Sequence, residues 1–185
     1  MGSGRKRVMI AETEHSAVLK TALLRTGNSH LLPVDDQGIV DLKALADRLA
    51  EDEDPALVCV MAANNETGVL QPVREVADIA HAYGASVLCD AVQAAGKIEV
   101  DFPAWDVDYM ALSAHKIGGP QGIGVLVRRD GAPLRSLLTG GGQEHSLRAG
   151  TENVAGIVGF GVAAQIAKDT WLDTGAQLAV YRDEL

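Results

Sequence analysis

The chain has 185 residues, of which 47% are hydrophobic and 22% charged, and its formal net charge is −9. This apolar content is enough for one folded domain and excludes a disordered chain. An acidic chain without clustered cations is repelled by phosphate backbones and anionic lipid, so we expect no nucleic-acid and no membrane partner. No apolar run reaches the roughly 20 residues that a membrane-spanning helix needs, and we therefore predict a cytoplasmic protein.

Short apolar runs alternate with amphipathic segments in the first half of the chain. Strands are predicted over residues 8–11, 30–34, 56–62 and 86–89, and the proline at 33 favours an edge position for the second strand. Helices are predicted over residues 16–26, after the cap Asp41, and from Pro72 to a stop at Gly84. This alternation is typical of an α/β domain with a mainly parallel sheet flanked by helices.

The second half has strands without long helices between them. Strands are predicted over residues 109–113 and 124–128, and the intervening segment is rich in glycine, which predicts an irregular loop. A second glycine cluster at 140–142 leads into a helix over about residues 154–168. The sequence leaves open whether Thr151, Glu152 or the cap Asn153 begins that helix.

The cysteines and histidines limit the kinds of site that the chain can hold. Cys59 and Cys89 fall in apolar strand-like runs, where burial raises the pKa of a thiol, so we interpret both as packing residues. The histidines show no i, i+4 pair and no spacing with cysteine, which predicts no metal site. Residues 35–38 predict a turn rather than a calcium loop. No G-x-S-x-G elbow is present, although the composition leaves a Ser/His/Asp triad open.

Polar residues collect where the predicted strands end, which is where open α/β sheets bind ligands. Lys116 follows a strand and precedes glycines, a position that suits an amine forming a Schiff base with pyridoxal phosphate. Asp90 ends a neighbouring strand and would keep the pyridine nitrogen of that cofactor protonated. Solvated strand ends are the alternative interpretation of both residues. The polar strand ends are Glu14 and His15, residues 64–68, residues 90–93 and residues 113–116.

Five motifs occur in order: EHSAVL at 14–19, NNETG at 64–68 with QP at 71–72, DAVQ at 90–93 with GK at 96–97, SAHK at 113–116, and GGGQEHSLRAGTEN at 140–153. Together they resemble the signatures of NifS/IscS-type cysteine desulfurases, in the class V aminotransferase group of fold-type I pyridoxal-phosphate enzymes. The resemblance implies that residues 5–185 form part of a cofactor-binding large domain, without the small C-terminal domain. We interpret residues 1–4 as a remnant of cloning.

The resemblance also implies a role for each matching residue. Lys116 would bind pyridoxal 5'-phosphate and shuttle protons, and Asp90 would pair with the ring nitrogen. His15 would stack on the ring face. The remaining implied contacts are Asn65 and Gln93 at the ring hydroxyl, Ser113 and His115 at the phosphate, and Thr151 at the phosphate held by a partner subunit, which implies a homodimer.

The implied reaction converts L-cysteine to L-alanine and passes sulfur to an enzyme cysteine as a persulfide, for use by an acceptor or scaffold protein in iron–sulfur cluster biogenesis. Neither Cys59 nor Cys89 matches the family's acceptor cysteine, so we expect the chain to be inactive alone. Alternatives are a related class V enzyme, such as a selenocysteine lyase or an aminotransferase, or a truncated, non-catalytic protein for dimerisation or partner binding. Two departures from the family pattern are Gly118, a tolerable loop change, and residues 145–147, which would alter the dimer contact.

Overall fold

The computed structural model describes residues 7–25 and 28–184. This part of the chain contains a six-stranded sheet with the order β2-β1-β3-β4-β5-β6. The first five strands run parallel, and β6 runs antiparallel to β5. The strands are β1 (Arg7–Ala11), β2 (Ser29–Leu32), β3 (Ala56–Met61), β4 (Ser86–Asp90), β5 (Tyr109–Ser113) and β6 (Gly124–Arg128).

The helices connect and cover this sheet. They are α1 (Ser16–Arg25), α2 (Leu42–Ala50), α3 (Val73–Ala82), α4 (Phe102–Trp105), α5 (Gln143–Ser146) and α6 (Val154–Asp183), together with a 3₁₀ turn at Ala114–Ile117. The prediction of an α/β domain with a mainly parallel, helix-flanked sheet is confirmed. The proline at 33 follows β2, which is an edge strand as predicted.

The main core lies between the sheet and the helices α2 and α3. Alternate residues of the strands, such as Val58 and Val60 of β3, face this side and are fully buried. Leu45 and Leu49 of α2 and Val76 of α3 close the layer from outside, because their helical spacing puts them on one face. The opposite face of the sheet packs a smaller cluster around Ile10 and Cys59 against α1.

Arg7, at the start of β1, has a structural role. Its side chain is buried, and its guanidinium donates hydrogen bonds to the carbonyl oxygens of Arg48, Leu49, Asp52 and Asp54. These carbonyls lie at and beyond the end of α2, where backbone acceptors lack helical partners and the helix dipole favours a cation. Arg7 therefore caps α2 from the first strand.

Several predicted boundaries were wrong, each for a local reason. The segment 113–124 is not wholly irregular, because the 3₁₀ turn begins directly after β5. Pro72 is the N-cap of α3 and lies just outside the helix, and the strand predicted over 30–34 ends before the proline, at Leu32. The predicted strand 56–62 ends at Met61, and 86–89 extends to Asp90. The described part of α1 ends at Arg25; Thr26 and the stop predicted at Gly27 lie outside the described residues, as do residues 1–4.

Helix α6 is the largest departure from the prediction, since it continues far beyond residue 168. Around residue 168, polar side chains bond to residues one turn away: Gln165 Nε2 donates to the Asp169 carboxylate at 3.0 Å, and Thr170 Oγ1 donates to the carbonyl of Ile166 at 2.9 Å. Asn153 is its N-cap, because the Asn153 side chain accepts a hydrogen bond from Gly156 N at 3.0 Å. Over the described ranges of the chain, none of the helices has the length and apolar character required to cross a bilayer.

Candidate active site

The carboxyl ends of β1, β3, β4 and β5 lie along one edge of the sheet, because these strands are parallel. The residues that end or follow these strands carry most of the predicted site. His15 follows β1, Asn65 follows β3, Asp90 ends β4, and Ser113 ends β5 three residues before Lys116. The topology therefore brings segments that are far apart in sequence to a common edge, as expected for a ligand site in an α/β sheet.

Asp90 is held firmly at this edge. It pairs with Met61 of β3 on one side and with Ala111 of β5 on the other. Its carbonyl oxygen accepts from Ala62 N at 2.8 Å, and its side-chain Oδ1 accepts from Val92 N at 3.0 Å. The carboxylate is half-buried, so its orientation is set by backbone contacts while one side remains accessible.

Lys116 lies in the 3₁₀ turn that follows β5, and its side chain is exposed. The turn ends at Gly118, which has a φ of +81° in the left-handed region. A Cβ there would meet no atom within 4 Å, so a larger residue would fit the space but would strain the backbone. Ser113 Oγ and His115 Nδ1 are 2.8 Å apart across the same turn. The turn thus presents an amine, a hydroxyl and an imidazole within four consecutive residues.

A second lysine, Lys97, lies beside Lys116. Its Nζ donates to the backbone carbonyl of Gln93 at 3.1 Å. Partial burial lowers the pKa of Lys97, and the positive charge of Lys116 lowers it further. The sequence motif contained Lys97, but its proximity to Lys116 depends on the turn at residues 91–97. Gln93, which the resemblance places at the ring hydroxyl, is therefore on the same segment as Lys97.

His15 is exposed and caps α1. Its Nδ1 accepts a hydrogen bond from Ala17 N at 3.2 Å, and its carbonyl accepts from Val18 N and Leu19 N. With Nδ1 acting as an acceptor, the neutral ring carries its proton on Nε2. The imidazole is thus held at the end of β1 in one tautomer.

Asn65 lies at the exposed tip of a tight loop after β3. Its neighbour Asn64 shapes this loop, since Asn64 Oδ1 accepts from Glu66 N and Thr67 N, both at 2.9 Å. The Asn64 amide also donates to the carbonyl of Thr13 at 3.0 Å, which ties the loop to the end of β1. Asn65 is therefore presented by a loop that is tied to the segment after β1, the strand that His15 follows.

Thr151 is the predicted site residue that the structure does not bring to the others. It is exposed in the segment before α6, and no hydrogen bond among the described residues joins it to the carboxyl edge. The preceding loop contains three consecutive residues in the left-handed region: Glu144, His145 and Ser146, with φ of 48°, 55° and 64°. The contact of Thr151 with a partner subunit stays a prediction.

Glu14 is the residue whose importance sequence reasoning missed. It was recognised at the end of β1, but the structure shows that it is only 6% exposed. Glu14 Oε1 accepts from Met61 N, while Oε2 and the neighbouring Thr13 Oγ1 are buried without a partner. Burial raises the pKa of Glu14 to about 8; the Met61 N–H lowers it, and the charge of Asp90 adds to the increase. The sequence carries no signal for this burial, because glutamate is ordinarily a surface residue.

Gln71, in the second motif, has a structural role. Its Nε2 donates to the carbonyl of Gly38 at 2.7 Å, and its Oε1 accepts from Val40 N at 2.9 Å. These bonds join the segment before α3 to the segment before α2. Not every residue of the motifs therefore belongs to the ligand site.

The residues at the carboxyl edge have the chemistry that pyridoxal phosphate requires. Asp90 offers a carboxylate for a protonated ring nitrogen, Lys116 an accessible amine for a carbonyl, and Ser113 and His115 hydrogen-bonding groups for a phosphate. No cluster of three or more metal-ligating side chains is found within residues 7–25 and 28–184.

Comparison with known proteins identifies the family. Residues 3–178 match the model of the family described as aminotransferase class-V. The chain belongs to the class-V aminotransferases. A solved NifS-like protein from Rickettsia africae superposes on this class-V chain with a TM-score of 0.87 and 36% identity, over 90% of this chain and 46% of that one. Another solved NifS-like protein has a TM-score of 0.84 and 43% identity, over 91% and 47% of the two chains.

Curated relatives of this class-V chain support the predicted resemblance to NifS-type enzymes, which is confirmed. A cysteine desulfurase of Sinorhizobium fredii is 43% identical over 185 residues, covering 98% of this chain and 47% of the relative. The cysteine desulfurase NifS of Azotobacter vinelandii is 43% identical over 184 residues, covering 98% and 45%. The chain thus spans about half the length of the curated relatives that it matches.

Proposed function

We propose that this chain is the cofactor-binding region of a pyridoxal-phosphate-dependent cysteine desulfurase. The observation that carries the proposal is the register of the two central strands: Asp90 at the end of β4 pairs with Ala111 of β5, and β5 leads directly into the turn that bears Lys116. A carboxylate at one strand end and an amine in the turn after the adjacent strand thereby lie at the same edge of the sheet. The family membership and the NifS-type relatives support the same assignment.

The chemistry that pyridoxal phosphate supplies when bound is an electron sink for bond breaking at the α-carbon of an amino acid. Asp90 would hold a proton on the ring nitrogen, and Lys116 would anchor the group and carry a proton at Nζ. His15 would cover one face of the ring, with Asn65 and Gln93 at the ring hydroxyl. Ser113 and His115 would hold the phosphate, and Thr151 would reach the phosphate bound to a partner subunit.

The proposed reaction breaks the C–S bond of L-cysteine, protonates the resulting carbon to give L-alanine, and transfers the sulfur to an acceptor thiol as a persulfide. Neither cysteine of this chain is available as that acceptor. Cys59 and Cys89 are 3% and 0% exposed in β3 and β4, and burial raises the pKa of both thiols. We therefore propose that sulfur must leave to a thiol outside residues 1–185 and that the chain alone does not turn over cysteine.

Borohydride trapping tests the proposed cofactor site. The 185-residue chain is incubated with pyridoxal phosphate, reduced, digested and mapped by mass spectrometry. We expect the pyridoxyl adduct on Lys116, its loss in Lys116→Ala, and its retention in Lys43→Ala, which removes an exposed lysine of α2. An adduct spread evenly over surface lysines would contradict the proposal. Release of alanine from cysteine by the chain alone, abolished by Lys116→Ala, would contradict only the proposed inactivity.

The second candidate is a non-catalytic protein that uses this fold for dimerisation or partner binding. It is favoured by the apolar surface of α6, where Val158, Val162 and Ile166 are 61%, 57% and 57% exposed. Exposed apolar surface of this kind marks interaction sites. A concentration-dependent dimer in sedimentation experiments, together with the absence of any adduct on Lys116, would favour this second candidate.

A further inference from the structure

We propose that Glu14 is a positioning residue that stays neutral beside Asp90 while it supports the strand end against which Asp90 is positioned. The proposal rests on the proposed cofactor site, since Asp90 is the group that would face the ring nitrogen. Glu14 does not touch that group; it acts through the ends of β3 and β4.

The backbone shows what Glu14 does locally. Ala62 N donates to the carbonyl of Asp90, so the N–H of the preceding residue, Met61, faces the other neighbouring strand, β1. That strand ends at Ala11, whose carbonyl oxygen accepts a hydrogen bond from Glu14 N at 3.0 Å. Glu14 Oε1 in turn accepts the Met61 N–H. Since Met61 is also the β3 partner of Asp90, the Glu14 side chain supports the strand end against which Asp90 is positioned.

The surroundings of Glu14 disfavour its charged form. Its side chain is buried, and no Lys, Arg or His lies within ion-pair distance of it among the described residues. The titratable groups that interact with it from β3 and β4 are Cys59, Cys89 and Asp90, none of which is cationic, and His15, next in the chain, is exposed. An uncompensated buried carboxylate is costly, whereas a neutral carboxyl group needs only hydrogen bonds.

The unpartnered atoms support the same assignment. Glu14 Oε2 and Thr13 Oγ1 are both buried without a hydrogen-bond partner. A neutral carboxyl group carries an O–H, and the pKa of about 8 keeps Glu14 neutral at neutral pH. Ionisation of Glu14 at alkaline pH would put a second negative charge beside Asp90.

Infrared spectroscopy of the ligand-free chain tests the proton directly. Below pH 8 we expect a protonated-carboxyl band in the wild-type chain that disappears above pH 8. The band should be absent in Glu14→Gln and present in Glu12→Gln, which changes an exposed carboxylate two residues away. A wild-type chain without this band at neutral pH overturns the proposal, whether or not any variant folds.

Titration with pyridoxal phosphate tests the effect on the site. We expect Glu14→Ala to weaken binding about tenfold at neutral pH, because Met61 N–H loses its buried acceptor. Glu14→Gln should restore most of this affinity. We expect binding by the wild type and by Glu12→Gln to decline above pH 8, where Glu14 ionises, and we expect no such decline in Glu14→Gln. An unchanged alkaline decline in Glu14→Gln would overturn the proposal. A chain that binds no pyridoxal phosphate would refute the proposed function, while the infrared band would still decide the state of Glu14.

Discussion

Ser113 Oγ and His115 Nδ1 lie 2.8 Å apart in the turn that presents Lys116. The hydroxyl ends β5 and the imidazole belongs to the 3₁₀ turn, so their contact links the sheet to the segment bearing the amine. In the proposed site both groups would face a phosphate. Their mutual hydrogen bond holds the two side chains in place before an anion binds. Less side-chain conformational entropy is therefore lost on binding.

Ser113→Ala tests this relationship. The substitution removes the hydroxyl and the restraint on His115, and hydrogen bonds to charged groups are worth about 1.5–3 kcal/mol. We expect affinity for pyridoxal phosphate to fall by about tenfold to a hundredfold in absorbance titrations. Pyridoxal without the phosphate is the matched control, and its affinity should change little. Equal losses for both compounds would place Ser113 outside the phosphate site.

Cys59 and Cys89 should be inert toward thiol reagents in the folded chain. Both lie in central strands, and burial raises the pKa of each thiol, so little thiolate is present or accessible. We expect no modification by a thiol-reactive disulfide reagent without denaturant, and modification of both residues in urea at the unfolding midpoint. Rapid labelling of either cysteine in the native chain would restore it as a candidate sulfur acceptor.

The close approach of α6 to the Lys97 segment predicts opposite effects for two glycine substitutions in one helix. A Cβ at Gly175 would lie 2.7 Å from the carbonyl oxygen of Lys97, whereas a Cβ at Gly161 would meet nothing within 4 Å. We expect Gly175→Ala to lower the free energy of unfolding by about 1–3 kcal/mol. Gly161→Ala should raise it by about 0.5–1 kcal/mol, because alanine favours the helix. Urea denaturation measures both, and a stabilising effect at both positions would refute the close contact.

Asp106 should make the free energy of unfolding decrease as the pH is lowered into the acid range. The hydrogen bond from Arg129 lowers the pKa of Asp106, with smaller contributions from the charges of His81 and Arg74. Because the pKa of Asp106 is lower in the folded state than its ordinary value of 3.8, the ionised carboxylate stabilises the folded protein at pH values above 3.8. This stabilisation is lost as the pH falls below 3.8. The side chain is 34% exposed, so we expect only about 0.5–1 kcal/mol.

Asp106→Asn is the appropriate variant, because asparagine also accepts the left-handed φ of 56° at this position. The free energy of unfolding of this variant should be lower than that of the wild type at neutral pH, and the difference should shrink toward acid pH. Asp130→Asn, at an exposed position, is the control and should show no such pH-dependent difference. A difference that stays constant through acid pH would mean that the charge of Asp106 is not the cause.

Much of the fold and of the carboxyl edge could be predicted from local patterns. Apolar runs and turn residues located all six strands, and parallel connections place strand ends such as Asp90 and Ser113 on one edge. Errors came at the ends of elements, where the local pattern is weakest. Helix α6, for example, continues past residue 168 to Asp183.

The sequence by itself determined the alternation of strands and helices, the order of the five motifs and the identities of the lysine and aspartate at the strand ends. Only the tertiary structure decided that Glu14 is buried beside Asp90, that Lys97 lies next to Lys116, and that Gln71 holds two loops together. The physical reason is that local patterns depend on the spacing of residues along the chain. Burial and electrostatic interaction depend instead on neighbours that only the assembled sheet brings together.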